Sequence, residues 1–137
     1  MRVAVIKDYP EIMDIVTIAF ETAWPGSQVL GAPNATEGMQ LVKQESPDVV
    51  NLDVGLPEGD SCGYDICKEL RSTSDVPIIM LTARSREVAR ARRRMQESPF
   101  LTVTRLQMNR KAQVSSFAQF FESRPRTTAK SWEVRSW

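Results

Sequence analysis

The chain has 137 residues, with 18 Lys plus Arg against 17 Asp plus Glu, no histidine and a formal net charge of +1. That length fits one domain around a single buried core, and a hydrophobic share of 42% beside a charged share of 26% argues against wholesale disorder and against collagen-like or membrane classes. Lack of histidine excludes Ser-His-Asp and Cys-His nucleophile pairs and any histidine-ligated metal, so a bound metal would need oxygen ligands.

Arg2-Val-Ala-Val-Ile6 is short, β-branched and almost continuously apolar, the pattern of a strand buried on both faces. Pro10 suits the first turn of a helix, and Ile12, Ile15, Val16 and Phe20 follow at helical spacing, which predicts a helix over 10–23 before the break at Pro25-Gly26. Residues 28–32 make a second, weaker strand. Asn34, with Glu37 three residues later, offers an N-cap for a helix over 36–45. A third strand, 47–53, ends in Asp53, and a loop rich in Gly and Asp (55–63) leads to a helix over 64–72 with Ile66 and Leu70 inward. Pro77-Ile-Ile-Met-Leu81 is a fourth, fully apolar strand followed by Thr82. Beyond it the pattern weakens: a basic helix over 86–97, a fifth strand over 100–106, a helix over 110–122 carrying Val114, Phe117, Ala118 and Phe121, and a basic tail over 123–137. Regular alternation of strand and helix predicts a parallel sheet wrapped by helices on both faces. No apolar run approaches the roughly 20 residues of a bilayer span, and the N-terminus lacks a long apolar stretch, so the default compartment is cytoplasmic.

The near-neutral total conceals a division. Residues 1–83 carry five basic and thirteen acidic side chains, a net of −8, and residues 84–137 carry thirteen basic and four acidic ones, a net of +9. All six glycines lie within the first 63 residues. Cys62 and Cys67 lack the spacing of a redox or zinc pair and read as free, structurally incidental thiols.

In a parallel sheet, ligands gather where loops leave the carboxyl ends of the strands. Asp8 follows the first strand, Asp53 ends the third and Thr82 follows the fourth. An acid or a threonine at one such position is commonly just a solubilising or capping residue; three at successive strand ends are a constellation. If the first, third and fourth strands are neighbours, these side chains converge. Two carboxylates at one mouth attract a hard divalent cation, and Mg2+ with retained waters is the natural occupant. An acid, a metal and a hydroxyl around one point suit phosphoryl transfer onto a carboxylate.

On these residues the chain resembles the receiver domain of two-component response regulators. The matching stretches are Arg2-Val-Ala-Val-Ile-Lys-Asp-Tyr-Pro-Glu-Ile12, Pro47-Asp-Val-Val-Asn-Leu-Asp-Val-Gly-Leu-Pro57, Gly63-Tyr-Asp-Ile-Cys-Lys-Glu-Leu-Arg71 and Val76-Pro-Ile-Ile-Met-Leu-Thr-Ala-Arg84. The resemblance implies a flavodoxin-like, doubly wound (βα)5 sandwich over 1–122, close to the family over 1–84 and divergent over 85–122, with 123–137 as a basic C-terminal tail. It further implies that Asp53 accepts phosphate from a sensor histidine kinase or phosphotransfer protein. Asp8, Asp53 and the Gly55 carbonyl would hold Mg2+, and the Thr82 hydroxyl would turn toward the phosphoryl group. A homodimer through the C-terminal helix-strand-helix face is a further partner expectation. The protein would be a switch rather than an enzyme, with autophosphorylation and slow self-dephosphorylation its only chemistry.

The departures are specific. Where the family carries a pair of acids after its first strand, the first position here is Lys7, which should weaken Mg2+ or itself pair with Asp53 in the metal's role. Phe100-Leu101-Thr102 begins the family's fifth-strand run, but Val103 and Thr104 stand where Lys-Pro is expected; Arg105 is near without being equivalent. The composition switch near residue 94 reads either as divergence or as a reading-frame discontinuity, which translating the gene in all three frames distinguishes. Two other functions remain in view: a degenerate receiver acting by protein binding without phosphorylation and, more weakly, nucleic-acid contact through the +9 half, with arginines 90–94 and Trp132 and Trp137.

Overall fold

A computed structural model describes residues 1–57, 62–82 and 101–105, with Cys62 and 101–105 described as backbone only. Among the described residues there are five strands and three helices: β1 (Arg2–Ile6), α1 (Pro10–Ala23), β2 (Gln28–Ala32), α2 (Ala35–Glu45), β3 (Val49–Asp53), α3 (Cys62–Thr73), β4 (Ile78–Thr82) and β5 (Leu101–Arg105). The helices expected over 86–97 and 110–122, the tail over 123–137 and the proposed dimer face lie outside the described residues. Among those described, no helix is long and apolar enough to cross a membrane.

All strand pairs are parallel, in the order β2-β1-β3-β4-β5. Chain reversal of direction from β1 outward to β2, then back across to β3, puts the crevice of a doubly wound sheet at the ends of β1 and β3. β1, β3 and β4 are neighbours, which is the condition under which their polar ends meet.

Side-chain alternation sorts the core into two layers. On one face Ala4, Ile6, Val50, Leu52, Ile78 and Met80 pack with Met39 and Val42 of α2 and with Tyr64, Ile66, Cys67 and Leu70 of α3. On the other, Val3, Val5, Val49, Ile79 and Leu81 pack with Ile12, Val16, Ala19 and Phe20 of α1. This two-sided cover is why the central strands are apolar at consecutive positions instead of alternate ones. Asn51 is the polar residue in the interior of β3, ahead of Asp53 at its end: it is buried on the α1 face, between Val5 and Ile79 in register, and neither its amide nitrogen nor its oxygen has a hydrogen-bond partner.

Local chemistry sets the helix ends. Pro10 occupies the first turn of α1, and the Trp24 amide closes the far end by donating to the Phe20 carbonyl at 2.7 Å. Asn34 caps α2 as the sequence suggests, with the helix beginning at Ala35, one residue earlier than expected; its Oδ1 accepts from the Glu37 amide at 2.9 Å while its Nδ2 donates to Glu37 Oε1 at 2.8 Å. Ser46 ends that helix in the left-handed region at φ 45°, a conformation that leaves room for the sharp entry into β3.

Two glycines let helices approach the site-bearing strands. A Cβ on Gly38 of α2 would lie 2.6 Å from Ile6 Cδ1. A Cβ on Gly63, in the first turn of α3, would lie 2.8 Å from Val54 Cα and 2.9 Å from its carbonyl oxygen. The start of α3 therefore seats directly on the backbone that leaves β3, and backbone cannot swing aside as a side-chain tip can. We predict that Gly63→Ala lowers unfolding free energy by about 1–3 kcal/mol, measured by urea denaturation, despite alanine's better helix propensity. Unchanged stability would show that this approach is not tight.

Candidate functional site

The carboxyl edge of the sheet collects Lys7, Asp8, Asp53 and Thr82. Asp53 is the last residue of β3 and Thr82 the last of β4, one position later in the strand than the sequence places it; both are buried. Val5 pairs with Asn51 and Ile6 with Leu52, so one further step along both strands sets Lys7 beside Asp53 on the same face. The Lys7 amide donates to the Ala32 carbonyl at 2.9 Å, extending strand-like bonding by one residue and holding the backbone there.

The two side chains are joined. Lys7 Nζ donates to Asp53 Oδ2 in an ion pair whose members are each only 9% exposed. The other carboxylate oxygen, Oδ1, accepts from the Gly55 amide at 3.1 Å. Lys7 Nζ also lies 5.3 Å from the centroid of the Tyr9 ring, within the range of a cation–π contact. Burial matters to the energetics. An exposed pair of this kind contributes little, whereas a desolvated one is costly to break because it strands a charge.

Asp8 stands at the same edge with its Oδ1 buried and without a hydrogen-bond partner. The expected set of Asp8, Asp53 and Thr82 is thus gathered at adjacent strand ends, but the contact that dominates is between Asp53 and Lys7. Gly55 meets Asp53 through its N–H. Arg105 is the β5 residue in register with Thr82. Asn51, two residues before Asp53 on the same face, was not singled out by spacing or motif; the signal available was one amide within an otherwise apolar strand.

These residues fit a divalent cation poorly. Asp8 supplies an orphaned acceptor oxygen, but the ammonium of Lys7 already sits on Asp53, and a hard dication brought beside it would be repelled where water screens weakly. Among the described residues there is no group of three or more His, Cys, Asp or Glu side chains able to hold a metal. Cys67 belongs to the core instead of the site: it is a buried free thiol, and burial pushes its pKa up to about 11 against the opposing charge of Arg71.

Comparison with known proteins places this geometry. A family model described as a response regulator receiver domain matches residues 3–104. A probable transcriptional regulator, ycf27, of Guillardia theta is 42% identical over 82 residues, covering 60% of this chain and 31% of that protein. The DNA-binding dual master transcriptional regulator RpaA of Synechocystis sp. is 40% identical over 85 residues, covering 60% and 34%. The chain therefore spans about a third of the length of these curated relatives. Among solved structures, a receiver domain from Clostridium thermocellum superposes with a TM-score of 0.68 at 25% identity, covering 88% of this chain and 94% of that one. The signal receiver domain of a DNA-binding response regulator (merR) from Colwellia psychrerythraea gives a TM-score of 0.69 at 23% identity, covering 90% and 99%, a likeness of fold.

Two outcomes are expected. Lys7→Met, which leaves the Asp53 carboxylate buried without its cation, should cost about 3 kcal/mol in urea denaturation. In a Cys62→Ser background, Cys67 should resist alkylation in the native state at pH 8. Because its folded pKa is raised, the neutral thiol's contribution to stability should be full below the unfolded value of 9.0 and fade as pH climbs toward about 11.

Proposed function

This chain belongs to the response regulator receiver domain family, and on that premise we propose that it accepts a phosphoryl group on Asp53 and thereby changes which partner it binds. The donor would be the phosphohistidine of a sensor histidine kinase or phosphotransfer protein. The observation that carries this reading is the placement of Asp53, a buried carboxylate at the mouth of the sheet with Thr82 at the end of the adjoining strand. A carboxylate there can attack phosphorus in line, and a neighbouring hydroxyl can hydrogen-bond the transferred group. Phosphorylation adds charge within a packed pocket, and a local change of that kind can bias a two-state face.

Lys7 shapes the reading in two ways. Mg2+ binding is proposed to be weak, since its expected ligand is already paired. The same ion pair favours a second reading, in which the domain holds a fixed conformation and works by protein binding without phosphorylation. In either case the protein is not proposed to be an independent enzyme, and a cytoplasmic location is proposed with the signalling role. Its curated relatives carry transcriptional regulation in their names, and a part in transcriptional control is proposed here on that likeness.

Incubation of the purified chain with acetyl phosphate, followed by intact mass measurement, tests the first reading. One added phosphoryl group on the wild type and none on Asp53→Asn is the expected result. An unmodified wild type, with and without Mg2+, leaves the second reading standing in place of the first.

A further inference from the structure

We infer that Lys7 is the resident cation of the Asp53 pocket, a tethered ammonium in the place of a divalent metal, so that Mg2+ is excluded while Lys7 is present. Three observations converge on it. Register continues from Ile6 and Leu52 to place residue 7 beside residue 53. The ammonium is paired with Oδ2 and both side chains are nine-tenths buried. The Tyr9 ring lies against the same nitrogen, and the Lys7 amide is fixed to Ala32, so both ends of the side chain are located.

The ion pair is too well enclosed to be a solvated accident. Asp53 has one oxygen on the ammonium and the other on the Gly55 amide, so both its acceptors are engaged without a metal. Asp8 has a buried oxygen with no partner, the remaining half of what would otherwise be a two-carboxylate site. Replacing the ammonium by a third acid would take these three side chains from a net charge of −1, with a fixed cation among them, to −3 with none. That is the change a dication requires.

This deepens the phosphoacceptor reading and, for its group-transfer consequence, rests on it. In that step a carboxylate oxygen of Asp53 forms a bond to phosphorus as the bond from phosphorus to the donor breaks, the bonding electrons leaving with the donor group. From an acyl phosphate the leaving group is a carboxylate. Lys7 balances charge on the phosphoryl oxygens throughout, and nothing is oxidised or reduced.

Calorimetric titration of the full chain with MgCl2 tests the cation claim directly. The wild type should give no saturable binding at millimolar Mg2+, while Lys7→Asp should bind at least roughly tenfold more tightly and gain thermal stability on adding the ion. Lys7→Gln, which removes the charge without adding an acid, serves if Lys7→Asp does not fold, and should show intermediate binding. Saturable Mg2+ binding by the wild type as tight as in these variants would overturn the inference. In parallel, acetyl phosphate labelling of the wild type should proceed at the same rate in EDTA as in Mg2+; labelling that requires Mg2+ would also overturn it. Absence of labelling in both would remove the phosphoacceptor reading alone, and the titration would still decide whether Lys7 holds the site.

Discussion

In-register parallel pairing of β1 with β3, and of β3 with β4, is the constraint on which the rest of the molecule depends. A shift of one residue in β1 would carry Val3 and Val5 to the opposite layer, and it would take Lys7 away from Asp53 in the same movement. Core and site are therefore specified together. The apolar residues that fix register for the sake of packing also decide which charged side chains confront one another at the mouth, and neither requirement can relax without the other.

Packing adds a second level of control. Gly63 brings the first turn of α3 onto the backbone leaving Asp53, and Gly38 brings α2 onto Ile6, the residue before Lys7. Both helices thus bear on the strands immediately behind the ion pair. A rearrangement at Asp53 would have to be accommodated where α3 meets Val54, because the strand itself is enclosed on both faces. Asn51 is the dissonant element in this frame. A buried amide with no partner costs stability that an apolar side chain would not, and its position one pleat behind Asp53 puts that cost in the strand that carries the site.

Much of this was legible in the residues themselves. The strand and helix sequence through Thr82, the Pro10 start of α1, the Asn34 cap and the polar ends of β1, β3 and β4 follow from periodicity and from turn and capping chemistry, and β5 pairs where the alternation over 100–106 suggested. The boundaries moved by one or two residues where tertiary contact decides, as at Thr82, which hydrogen-bonded pairing draws into β4. Lys7 beside Asp53 was foreseeable as one alternative to a bound metal, since a lysine replacing an acid must find a counter-charge; choosing between them needed the register. Asn51 was not foreseeable as a problem, because the identity of a buried polar residue does not reveal whether a partner reaches it. The Gly63 approach was equally hidden, since a glycine near a loop is as readily read as a turn.

The Lys7–Asp53 pair also changes what the surroundings can do to this protein. A metal-dependent pocket is set by a free ion that can be chelated, diluted or displaced by a competing cation. A counter-ion attached to the chain has an effective concentration fixed by the length and anchoring of one side chain, and its burial keeps bulk salt from screening it. The charge balance of the pocket is accordingly buffered against the ionic composition of the medium, because its counter-ion travels with the chain.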